Sequence, residues 1–393
     1  MNRRTLVRGI QLIVGITLAT FTWLLYRSIR EDSAHGHPAD FAAGFAHIQP
    51  AWLVFAAVLA LQEGVFGGLR VFVLGRVLSS ELKVRTAIIS EFVLMFCAGV
   101  TPLQAGAAPS QVAVLANGGM RLVDVATASL LTALCTATFF LASAVAIFVL
   151  RAKGLFVVSD GPQLDWLLGL SVTIVGSSFL ALILCAAYPP LLKAIIRVLA
   201  VPFGVIYRAL LRALTVSRRM RTWALASLEK RGAVRDRLLL SVDEFNRGFH
   251  IYLWRGKIAY LTAQLLTVAF FCSRFAVAYF ILLGLGLPVT PKAFVTIGPP
   301  LVQVILVQVL LNFALYLSPT PGASGVAEAG SSAIMSPWVQ PPFVIAYLIL
   351  WRILAMFLCM FVGGIYVFRY LGTDVLEQRI KATEAEKRAL KAA

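Results

Sequence analysis

An all-α, polytopic integral membrane fold is predicted by three observations. Hydrophobic residues make up 60% of the 393-residue chain and charged residues 13%, giving a mean hydropathy of +0.86. A water-facing surface cannot be built from that ratio. Several apolar runs exceed the ~20 residues that cross a bilayer. Two apolar segments are broken by Pro/Gly-rich stretches, Ala98–Met120 and Leu317–Met335, and each resumes as a small-residue helix that leads into a long apolar span. Together these predict about six full spans plus two re-entrant, Pro/Gly-broken helical hairpins arranged as an inverted repeat.

The elements follow in order. Arg3, Arg4 and Arg8 precede an apolar run over 10–26. No small-residue cleavage site follows it, so it reads as a retained first span rather than a signal peptide. Residues 31–49 form a polar loop, in which His35 and His37 lack the further ligands a metal needs. A second span covers 51–78. Glu63 and Arg70, seven residues apart on it, share one helical face, as a buried pair or as part of a cavity wall. The stretch from Ala87 to Gly99 is too short for a full crossing before Pro102 and makes the first arm of a hairpin over 87–120. Spans at 122–150 and 164–188 complete a first membrane half, residues 1–188.

Residues 189–257 hold the most basic part of the chain, with Arg208, Arg212 and Arg219 on one helical stripe. The segment reads as a cytoplasmic linker against an anionic membrane surface. No aromatic-plus-basic module accompanies it, so nucleic acid is not an expected partner. The second half, 258–369, contains a span at 258–287, a hairpin over 293–337 and a span at 343–368. A charged tail fills 370–393. The five cysteines sit singly in apolar runs and read as packing residues. No metal or cofactor is expected.

Charge decides the topology. With both hairpins returning to the side they entered, the inside segments carry 3, 3, 14 and 6 basic residues and the outside segments 2, 2 and 1. That asymmetry satisfies the positive-inside rule and leaves both termini cytoplasmic. The two hairpins then open from opposite faces.

Non-helical backbone at membrane depth is tolerated where it is buried in protein or lines a watery cavity, and an ionisable residue beside it points to function. The candidate substrate-binding set is therefore Thr101, Pro102 and Gly106 in the first break and Pro319, Pro321, Gly322 and Gly325 in the second, together with six charged residues. Arg70, Arg274 and Arg352 suit a phosphodiester. Glu63, Glu91 and Glu328 balance them, bind a cationic head group or carry protons. The amino termini of the helices that restart after each break suit a phosphate. In the competing reading, these Arg and Glu side chains only pair with one another and fix helix packing.

The second break, Pro319-Thr320-Pro321-Gly322 with Gly325, Glu328, Gly330 and the downstream Trp351-Arg352, resembles the signature of the flippase-like membrane domain of the lysylphosphatidylglycerol synthase (multiple-peptide-resistance) family. The first break resembles it through Thr101-Pro102, Gly106, Pro109, Leu115, Gly118 and Ala126, with Ala107 where a second Gly is common. The resemblance runs from Val54 to Tyr370. It implies translocation of an anionic or aminoacylated phospholipid between leaflets of the bacterial cytoplasmic (inner) membrane. The expected partners beside the lipid are a second copy of the chain or a separate lipid-modifying enzyme. The short stretch after Tyr370 cannot fold an aminoacyl-transferase domain, so the stand-alone membrane form is expected, with no catalytic residues. The alternatives are a membrane enzyme, or a non-transporting partner in lipid or polyprenyl-linked glycan modification. The single, separated carboxylates without His partners speak against the enzyme. No GxxxxGK[ST] motif is present, so transport would be passive, ion-coupled or driven by a partner.

Overall fold

The computed structural model describes residues 48–101, 104–155, 162–188, 256–289 and 299–369, with residues 22 and 190. The expected span at 10–26, the loop holding His35 and His37, Pro102, nearly all of the 189–257 linker and the 370–393 tail lie outside the described residues. Every regular element among those residues is helical.

Helix α1 covers Pro50–Leu78, α2 Val84–Val100 and α3 Ala107–Asn117. Helices α4 and α5 cover Leu122–Ala152 and Pro162–Ala187, and α6 covers Lys257–Gly284. The last three are α7, Pro300–Tyr316, α8, Val326–Met335, and α9, Val344–Arg369. Pro50 and Pro300 stand at the first helical position, where the missing N–H costs nothing. By length and composition α1, α4, α6 and α9 are each able to cross a membrane. At 29 residues, α1 reaches about 43 Å. Several hydroxyls on these helices are turned back onto the chain: Thr127, Thr132, Thr138 and Ser143 of α4 and Thr267 of α6 each donate to the carbonyl four residues earlier. That satisfies them without water. Exposed apolar side chains such as Phe148, Val149, Leu261, Leu265 and Phe361 form the surface a bilayer covers.

Helices α1 and α6 are antiparallel neighbours. Gln49 N–H donates to the Gly284 carbonyl at one end (2.7 Å), and Leu74 packs with Ala263 toward the other. Gly64, Gly67 and Gly68 let α2 approach α1 closely: a Cβ on Gly68 would lie 2.4 Å from Ile88 Cα. The core between α4, α5, α6 and α7 is aromatic. Phe140 sits among Phe271, Phe313, Tyr316 and Phe179 with ring centroids 4.8, 5.3, 5.3 and 5.5 Å away, within the range of favourable ring pairs.

Each Pro/Gly break joins a 17-residue helix to a short one, 11 residues in α3 and 10 in α8. Both pairs are antiparallel helical hairpins. In the first, Glu91 meets Gln111, while a Cβ on Gly118 near the end of α3 would press on Thr86 near the start of α2. In the second, Gly330 of α8 abuts Leu311 of α7. Helix α9 then runs antiparallel to α2, with Gly363 against the Phe92 carbonyl and Gly99 against Met360. Between Ile353 and Phe357 α9 opens into a π-turn, a feature no sequence signal announces.

Candidate functional site

The tips of the two hairpins meet. A Cβ on Gly322 would lie 2.2 Å from Met356 Cε and 3.5 Å from the carbonyl oxygen of Gly99. Gly322 itself has φ +59°, a conformation glycine adopts without penalty. Gln104 in the first break (φ +55°) and Ala323 in the second (φ +53°) hold the same left-handed backbone, and both are non-glycine residues. Such strain is rare and gathers at functional sites. Both residues line a cavity of about 290 Å³ bounded by the two tips and by α1, α2, α6, α7 and α9. That volume is at the lower end for small-molecule sites, roughly 300 Å³, so it admits a polar head group but not a whole diacyl lipid.

Three ion pairs stand at this cavity. Arg70 Nη2 donates to Glu91 Oε1 at 3.2 Å, Arg352 Nε to Glu328 Oε1 at 2.7 Å, and Arg274 Nη1 to Glu63 Oε1. Each pair joins two elements: α1 to α2, α9 to α8, and α6 to α1. Glu63 and Arg70, read from their spacing as a pair or a shared wall, are not bonded to each other. They face the same cavity but take partners from different helices. Glu63, Arg70, Glu91, Arg274 and Arg352 line the cavity, while Glu328 sits fully buried behind Arg352.

The two locked pairs extend into networks. Glu91 Oε2 accepts from Gln111 Nε2 (3.0 Å), and Arg70 Nη1 reaches Thr136 Oγ1 (3.2 Å) while its guanidinium lies 4.4 Å over the Phe270 ring. Glu328 Oε2 accepts from Gly325 N–H (2.6 Å), capping α8 with the residue at its third position, and Arg352 Nη1 donates to the Gly322 carbonyl (3.0 Å). Three buried polar atoms of this set have no hydrogen-bond partner among the described residues: Glu63 Oε2, Arg70 Nε and Arg352 Nη2.

The breaks are internally braced. Thr101 Oγ1 donates to the Cys97 carbonyl (2.6 Å) and accepts from Gly106 N–H (2.9 Å), so one hydroxyl bridges the end of α2 and the start of α3. In the second break Ser318 and Thr320 share a hydroxyl contact (2.9 Å), and Thr320 donates to the Ser324 carbonyl (2.8 Å). Pro321 is buried and Pro319 exposed. Thr101, Gly106 and Gly325 thus shape the turns, whereas the cavity wall takes Gln104, Gly322 and Ala323, which precede the restarted helices. At both restarts an amino-terminal N–H already has an internal acceptor, Thr101 or Glu328.

Sequence reasoning missed Gln104, Gln111, Thr136, Asn312, Tyr316 and Met356 at or behind the wall. A signal existed for some of them. Asn312 and Tyr316 are four apart on α7, so the pair shares a face. Gln111 is a polar residue in a helix of small ones. Among the described residues no group of three or more His, Cys, Asp or Glu is placed to hold a metal.

The sequence model of a family described as the lysylphosphatidylglycerol synthase TM region matches residues 11–363. No curated protein gives a significant match.

Proposed function

The chain belongs to the lysylphosphatidylglycerol synthase TM-region family, and on that footing we propose that it translocates a phosphate-bearing lipid between leaflets, with the head group passing through the cavity between the hairpin tips. The observation that carries this reading is the pair of buried arginines, Arg70 and Arg352, lining one cavity, each with an N–H that has no acceptor among the described residues. Buried donors are ordinarily satisfied, and a phosphodiester supplies acceptors in the charge-assisted geometry that guanidinium groups favour. The cavity's size supports passage of the head group with the acyl chains remaining in the bilayer. The accompanying carboxylates make a head group bearing an amine acceptable beside phosphatidylglycerol.

In the bilayer the α2–α3 and α7–α8 hairpins are re-entrant and open from opposite faces, an inverted repeat that meets near the midplane. The inside excess of basic residues supports that arrangement in a bacterial inner membrane. Purified protein in phosphatidylcholine vesicles with leaflet-selective lipid probes tests the proposal. Labelled phosphatidylglycerol or an amine-bearing phospholipid should exchange faster than labelled diacylglycerol or an uncharged glycolipid, and Arg352→Ala should slow it at least tenfold at matched folded protein. Equal exchange of charged and uncharged lipids, untouched by Arg70→Ala or Arg352→Ala, would overturn the electrostatic path. No exchange of any lipid would overturn translocation.

A further inference from the structure

The three intramembrane carboxylates are not equivalent. Glu91 and Glu328 each have both oxygens engaged, the first by Arg70 and Gln111, the second by Arg352 and Gly325 N–H. Glu63 has one oxygen on Arg274, while its Oε2, in a side chain 1% exposed on the cavity wall, has no partner among the described residues. Its counter-ion differs too. The Arg274 side chain is 35% exposed, against 8% for Arg70 and 5% for Arg352. Glu63–Arg274 is therefore the pair that can open while the other two hold the hairpins.

We propose that Glu63 Oε2 is a proton-binding position and that one proton accompanies each anionic head group through the cavity. This rests on the lipid-translocation reading and adds its coupling ion. Three arginines and three glutamates balance at the site. A monoanionic phosphodiester entering this low-dielectric space brings one uncompensated charge, which is costly. A proton restores neutrality. In the forward step a proton from water on one side bonds to Glu63 Oε2, the ion pair to Arg274 breaks, and the freed guanidinium pairs with the phosphodiester alongside the open N–H groups of Arg70 and Arg352. On the other side the head group leaves, the proton returns to water and the pair re-forms. No further reactant is needed.

The charged and titratable groups that face Glu63 come from every side: Arg70 on its own helix, Glu91 of α2, Arg274 of α6, Tyr316 of α7 and Cys359 of α9. Arg70 and Glu91 are engaged with each other, which leaves Arg274 as the cation that responds when Glu63 gains its proton.

The full chain in phosphatidylcholine vesicles, with trace fluorescent phosphatidylglycerol, an outer-leaflet quencher and a luminal pH dye, tests the assignment. With one proton per lipid, a step of one pH unit should shift the steady-state leaflet ratio by up to about tenfold. A potassium diffusion potential at equal pH should leave the ratio unchanged, and luminal pH should move with the probe. In Glu63→Gln the ratio should no longer follow the pH step, whatever the exchange rate. Exchange by the wild-type chain that ignores the pH step, or follows the electrical potential, overturns proton coupling while leaving translocation standing. A Glu63→Gln variant that still follows the pH step overturns the residue assignment, and if that variant does not fold, the wild-type arms decide alone. Wild-type vesicles that exchange no lipid remove the translocation reading and this one with it.

Discussion

Glu328 and Arg274 sit in ion pairs of the same kind but carry different structural weight. Glu328 is fully buried, caps α8 through Gly325 and holds Arg352, which in turn holds the Gly322 carbonyl. Removing the carboxylate leaves a guanidinium that is only 5% exposed without its counter-ion, a loss of about 3–5 kcal/mol for a broken buried pair. Glu328→Ala is therefore expected to lower the thermal unfolding midpoint of the purified protein well below that of Arg274→Ala, whose side chain reaches the open part of the cavity. Equal midpoints would show that the α8 cap and the Arg352 network contribute little. At this scale the sequence made all six charged residues legible, because an ionisable group in an apolar run stands out. It did not show their partners. A spacing of seven places Glu63 and Arg70 on one face of their own helix and says nothing about Arg274, 211 residues from Glu63, or Glu91 on another helix.

Glycine separates the elements that must touch from those that only pass. A Cβ on Gly363 would fall 2.0 Å from the Phe92 backbone carbonyl oxygen, an atom that cannot move without shifting α2. At Gly330 the nearest atom is the tip of Leu311, 3.0 Å away, and a leucine methyl has room to turn. Gly363→Ala should reduce the yield of monodisperse protein severalfold in detergent size-exclusion chromatography, whereas Gly330→Ala should match the wild type. The reverse order would mean that α9 is not seated on α2 as described. The two breaks were legible as elements because consecutive Pro and Gly cannot continue a spanning helix. The left-handed backbone at Gln104 and Ala323 was not, since neither residue type signals positive φ. Nor was the π-turn at Ile353–Phe357, which composition does not signal.

For the whole molecule, the all-α membrane class followed from composition alone. Helix pairing did not, because apolar faces in a membrane protein are alike toward lipid and toward protein; small residues such as Gly64, Gly67 and Gly68 mark the difference only after their neighbour is known. Orientation rests on charge. In a variant lacking the five native cysteines, single cysteines at 221 and 387 should react only from the cytoplasmic face, and those at 37 and 161 only from the outside. Labelling at 221 from outside intact cells would reverse the hairpin topology. The π-turn at Ile353–Phe357 also has a mechanical meaning for the assembled molecule. It is one spare link in a helix that otherwise advances about 100° per residue. Sliding that link along α9 would twist the stretch it passes by one residue's worth of rotation without lengthening the rod, and would carry Met356 and Met360 off the cavity wall. Gly363 and Gly364, seated on Phe92 and Phe96, are the contacts such a twist would have to break.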